Sequence, residues 1–148
     1  RDGRLHYLLR GLLLQRQSRH AEAVEAFRSG IFSMTDGYTV TNLLMAQSLL
    51  ALGKVQEAIG VLQPALRGGV DGSNTYTSRT ELHEALADAF DLAGMADSAE
   101  SHYRAVEQAW RHADPAYAAR YQRARTRAGL PGRPGRPSRA KVGAAPGS

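Results

Sequence analysis

The chain has 148 residues, 43% of them apolar and 22% charged, which is enough for one domain with its own core and ordinary for a soluble globular protein. It has no cysteine, which excludes disulfides, thiol chemistry and zinc–thiolate sites, and no apolar run approaches the length needed to cross a bilayer. The net charge of +5 is uneven: eight basic residues and no acid lie from Pro115 onward, so the preceding body is net acidic and the high pI belongs to the C-terminus.

The chain starts with Arg1 rather than methionine and reads as a piece of a longer protein. The leucine-rich stretch Leu8 to Leu14 is broken by Arg10 and followed by Gln15 and Arg16, so it does not read as a signal peptide. In the helix expected around it, Tyr7, Gly11 and Leu14 share one face, while Leu5, Leu8 and Leu12 lie nearly opposite. A helix apolar on two faces expects cover on both: either a leucine-lined groove or a preceding repeat fills the second role.

From here a register repeats three times. A small residue is followed twelve positions later by an alanine: Gly11 and Ala23, Ala46 and Ala58, Ala87 and Ala99. Large apolar residues follow each small one at +3 (Leu14, Leu49, Phe90) and each alanine at +4 (Phe27, Leu62, Tyr103). A turn residue separates the halves: Ser18, Gly53 and Gly94. Small residues let two helices approach closely and large ones fill the groove beside them. The spacing therefore predicts three helical hairpins near residues 4–34, 39–66 and 79–111, stacked because one hairpin cannot bury its apolar face alone. Pro64 falls inside a predicted helix, with Gly60 four residues earlier to ease the bend. Asp114–Pro115 signals a helix start and Gly129 with Pro131 a stop; the polar helix between them carries Tyr117, Tyr121 and Ala124 on one stripe, to cover Tyr103, Val106 and Trp110. Residues 129–148 are basic and rich in proline and glycine, and are expected to be a disordered tail.

The segments Ala21–Arg28, Ala46–Leu66 and Ala87–Val106, in phase, resemble the tetratricopeptide repeat over roughly residues 4 to 112. The first helix carries an aromatic, Tyr7, where the later units have Asn42 and His83. The alanine anchors recur after 35 and 41 residues, the longer interval reflecting an enlarged loop from Arg67 to Thr80. The resemblance implies an all-α, right-handed superhelical array of antiparallel hairpins over residues 1–128, closed by a capping helix at 115–128. It also implies a concave groove lined by the first helix of each hairpin. Here those residues are Leu8 and Leu12; then Val40, Leu43, Gln47 and Leu50; then Glu81, Glu84, Asp88 and Asp91. The four acids fall at i, i+3, i+7 and i+10, one narrow face, and suit a partner with apolar anchors and a basic end; a plain solvated face is the other reading. The lysine, arginine and asparagine of the family's chaperone-tail clamp are absent from these positions.

No catalytic constellation, cofactor motif or metal motif is found. His83-Glu84 begins like a zinc-helix motif, but Ala87 stands where the second histidine belongs. His6, His20, His102 and His112 have no ligand partner at helical spacing. The loop from Gly68 to Asn74 lacks both the lysine of a phosphate loop and the spaced carboxylates of a calcium loop. The repeated Gly-Arg-Pro of the tail lacks the arginine before glycine that a minor-groove hook has.

The expected function is therefore that of a module binding a protein or peptide partner, without enzyme activity, cofactor or membrane insertion. Nucleic-acid contact through the arginine-rich end is a lesser alternative. His102-Tyr103-Arg104, Trp110 and Ala113-Asp114-Pro115 are similar to the ends of repeat arrays appended to bacterial serine/threonine kinases and transcriptional activators, which implies a docking or sensory region. The compartment stays open, a cytoplasmic one being favoured.

Overall fold

The computed structural model describes residues 3–31, 39–67 and 77–130, and among these it is all-helical. The helices are α1 (Gly3–Arg16), α2 (His20–Gly30), α3 (Thr39–Ala51), α4 (Val55–Arg67), α5 (Arg79–Leu92), α6 (Ala96–Trp110) and α7 (Ala118–Arg127). A short 3-10 turn, Pro115–Tyr117, precedes α7. Of the predicted loop from Arg67 to Thr80, residues 68–76 lie outside the described residues, while Arg67 ends α4 and Arg79 and Thr80 begin α5; the end of the first predicted hairpin, 32–34, and the tail from 131 on also lie outside.

Three of the helix connections are built alike. Between α1 and α2, α3 and α4, and α5 and α6, one residue adopts a left-handed conformation: Ser18 (φ 59°), Gly53 (φ 72°) and Gly94 (φ 72°). The amide of the next residue then reaches back to a carbonyl five residues earlier: Arg19 to Leu14, Lys54 to Leu49 and Met95 to Phe90, each at 2.9 Å. This arrangement satisfies carbonyls that the end of a helix leaves without partners. The anchoring alanines begin the following helix in the same way, Ala23, Ala58 and Ala99 donating to the carbonyls of Arg19, Lys54 and Met95. Turns this short reverse the chain, so α1 packs along α2, α3 along α4 and α5 along α6.

Consecutive pairs also touch through α2 and α3, α4 and α5, and α1, α3 and α5. One continuous core results, with Leu14, Phe27, Met45, Leu49, Leu62, Leu82, Leu86, Phe90 and Val106 buried. The small residues sit where helices come closest: Ala46, Ala58, Ala87 and Ala99 are buried, and a β-carbon on Gly11 would overlap the Phe27 ring. Asn42, which stands where Tyr7 and His83 stand in the other units, donates to the Val61 carbonyl at 2.9 Å and so ties α3 to α4. Pro64 lies within α4, and Gly60 is exposed with open space around it.

Two helix starts are capped by side chains. Ser78 accepts from the Glu81 amide while Glu81 accepts from the Ser78 amide, a reciprocal capping box that fixes the start of α5. Asp114 accepts from the Ala116 amide ahead of Pro115, and the chain makes a 3-10 turn before α7 begins. Helix α7 lies on α6 with Tyr121, Ala124 and Ala128 buried, whereas Tyr117 is 41% exposed and tilts against Trp110.

Candidate partner-binding groove

The groove residues meet across α3 and α5. Leu43, Gln47 and Leu50 from α3, with Glu81, Glu84, Ala85 and Asp88 from α5, line one concavity of about 380 Å³. Two further walls come from α7, in Arg120 and Arg123. The structure places the remaining expected residues apart from that lining. Leu8 and Leu12 are half-buried on α1, Val40 is half-buried at the start of α3, and Asp91 is exposed near the end of α5.

The acidic stripe is already engaged, in a way the sequence reading did not foresee. Glu81 is used by the capping box at Ser78. Glu84, only 7% exposed, receives Arg120 on Oε2 and Arg123 on Oε1, the latter at 2.6 Å. Asp88 accepts from Arg123 at 3.0 Å and from the Tyr103 hydroxyl at 2.7 Å. Asp91 pairs with Arg127 at 2.8 Å. Arginines at i, i+3 and i+7 of α7 thus face acids at i, i+4 and i+7 of α5. The stripe is not a bare solvated face. The basic segment on it is α7, within the folded body. Matching periods on the two helices were the available signal; reading the arginines only as part of a basic C-terminus hid it.

Electrostatics follow from this packing. Burial pushes the Glu84 carboxyl up, but the hydrogen bonds and charges of Arg120 and Arg123 outweigh it, leaving Glu84 below its ordinary value. Glu107 behaves alike: burial raises it, while Arg111, the Tyr121 hydroxyl and Arg125 bring it down. Burial, and then the hydrogen bond to Asp88, raise the Tyr103 hydroxyl. The Arg120 guanidinium is held from its other side by the Trp110 ring, 4.3 Å from the ring centroid.

Two sets of residues behave differently from expectation. His83 and His102, which have no partner in sequence register, meet across α5 and α6 with their Nδ1 atoms 2.8 Å apart. The ring centroids are 5.0 Å apart, so the two nitrogens point at each other as in a hydrogen bond rather than converging on a third point. Among the described residues no group of three or more histidines and acids is placed to hold a metal ion. On α1 the exposed leucine row is Leu5, Leu9 and Leu13, at 54, 56 and 59% exposure, rather than Leu5, Leu8 and Leu12. In the repeat register Leu13 corresponds to Ser48 and Ala89, both fully buried, so the helix pair ahead of α3 and of α5 covers a position that α1 leaves open.

No helix among the described residues is long and apolar enough to cross a membrane. Compared with protein-family models, curated proteins and solved structures, the chain shows no significant match to any of them.

Proposed function

We propose that this chain is a protein-interaction module of tetratricopeptide type, a right-handed array of antiparallel hairpins that docks a peptide or partner protein against the first helices of its hairpins. The observation that carries the proposal is the concavity itself. Six of the ten residues that the resemblance implies for the groove, Leu43, Gln47, Leu50, Glu81, Glu84 and Asp88, line one hollow. The threefold recurrence of the left-handed turn and its five-residue back-bond, in phase with the alanine anchors, supports the repeat assignment. Because the acids are engaged by α7, the surface open to a partner is the α3 side, where Leu43 and Leu50 supply apolar anchors and Gln47 a hydrogen-bonding group. Nucleic-acid contact draws less support, since Arg120, Arg123 and Arg127 are spent on carboxylates.

The test is selection of a displayed random-peptide library on the immobilised chain, followed by affinity measurement of enriched peptides. Leu43→Glu/Leu50→Glu, with circular dichroism unchanged, should abolish their binding. Failure to enrich any peptide, or binding indifferent to that double substitution, would sink the reading.

A further inference from the structure

The seating of α7 points to the chemistry of a partner. We infer that the α5 face formed by Glu84, Asp88 and Asp91 is a receptor surface for an amphipathic helix carrying arginines at i, i+3 and i+7, and that α7 is its resident occupant. This inference rests on the proposed docking role and names both the ligand class of that groove and what holds it closed.

Three independent observations support it. The first is the charge register. Arg120, Arg123 and Arg127 meet Glu84, Asp88 and Asp91 in order along the two helices, and Arg123 bridges the first two acids with a guanidinium fork. The second is the shape beneath it. The concavity holding Arg120 and Arg123 continues onto Leu43 and Leu50 of α3, so a helix seated there reaches apolar surface that α7 does not cover. The third is how α7 is attached. On α6 it rests through Tyr121, Ala124 and Ala128 and through Arg125 and the Tyr121 hydroxyl on the buried Glu107, whereas toward α5 the Arg120, Arg123 and Arg127 side chains remain 39, 45 and 56% exposed. The Arg123–Asp88 and Arg127–Asp91 pairs, solvated on both partners, are individually weak and sensitive to salt. A partner helix offering the same arginine spacing plus a leucine for the α3 side would therefore exchange with α7 rather than add to it. Tethering gives α7 an effective concentration in the millimolar range, which sets the competition the partner must beat.

The test uses the full chain and a labelled synthetic peptide with the sequence of residues 114–130. The triple variant Arg120→Gln/Arg123→Gln/Arg127→Gln should bind this peptide at least about tenfold more tightly than wild type, whose own α7 competes. Its affinity should fall about tenfold or more between roughly 0.05 and 0.3 M salt. Adding Glu84→Gln/Asp88→Asn to the triple variant should remove the binding. Equal affinity in wild type and triple variant, or binding that survives loss of the acids, would overturn the inference. Should the triple variant not fold, amide exchange on wild type decides. Residues 118–127 should open more readily than α5 and α6 and faster as salt rises, and exchange as slow as in the core would rule out a displaceable occupant. If the peptide binds as stated while library peptides ignore Leu43→Glu/Leu50→Glu, the arginine-helix receptor stands and the wider docking reading falls; the reverse pattern overturns only the receptor.

Discussion

The Phe27 ring packs against Gly11 so closely that a β-carbon there would fall inside the ring's van der Waals envelope. Phe27 is fully buried and has no solvent to turn into. Gly11→Ala should therefore destabilise the protein by about 1–3 kcal/mol through overpacking, despite alanine's better helix propensity of about 1 kcal/mol. Urea denaturation checks it; a rise in midpoint would mean that the ring has room to move. Ala58→Leu and Ala99→Leu, at the buried alanine anchors of the other two units, should cost a similar amount by overpacking.

Ser18 and Gly94 hold equivalent left-handed turn positions, one with a β-carbon and one without. Ser18→Gly should stabilise by up to about 1 kcal/mol by removing steric cost, and Gly94→Ala should destabilise by about 1 kcal/mol. Thermal melts of the two variants should move in opposite directions, and shifts of the same sign would count against this account of the turns.

Glu84 is the acceptor for two guanidinium groups and is nearly excluded from water. Both arginines remain partly solvated and can regain water, so Glu84→Gln should cost about 1–2 kcal/mol, less than a fully buried pair. Raising salt should narrow the gap between variant and wild type. A gap that widens with salt would show that packing, not charge, dominates at this position.

Acid should weaken the fold in two windows. Burial, with Arg79 acting on His83 and His83 acting on His102, holds both imidazoles below the ordinary value of 6.5. The unfolded chain then takes up protons first, so stability present at neutral pH declines as pH falls below that value. Glu84 is also depressed, and its contribution, present above the ordinary 4.5, is lost as pH falls toward its folded-state value. Urea midpoints between pH 7.5 and 3 should show both declines, and His102→Gln should flatten the upper one. A flat profile from pH 7 to 5.5 in wild type would contradict the histidine pair.

Leu9 and Leu13 stand in solvent on α1. Leu9→Glu/Leu13→Glu should change stability by less than about 0.5 kcal/mol, because neither side chain packs in the core. Sedimentation at rising concentration should show any self-association of wild type reduced in the variant. A large fall in melting temperature would instead place these leucines in the core.

The all-helical character was legible in the sequence because it rests on local physics. Apolar residues at spacings of three and four, small residues at fixed offsets and turn residues between them act within a few helical turns, and Ser18, Gly53 and Gly94 could be named as breaks from that alone. Register fixes which side of a helix a residue occupies, so Leu43, Gln47 and Leu50 share a face of α3 and Glu81, Glu84 and Asp88 a face of α5; that the two faces border one hollow was implied only by the resemblance. What only the tertiary structure decided was who meets whom over long separations. Glu84 and Arg123 are 39 residues apart, and His83 and His102 are 19 apart on different helices. No helical period links such pairs. The packing of α7 on α6 brings the arginines to the acids, and the α5–α6 hairpin brings the imidazoles together. A stripe of like charges is unfavourable until opposite charges cover it, so its meaning rested on the helix that folds back onto it, and that was settled by burial of Tyr121, Ala124 and Ala128 rather than by anything within the stripe.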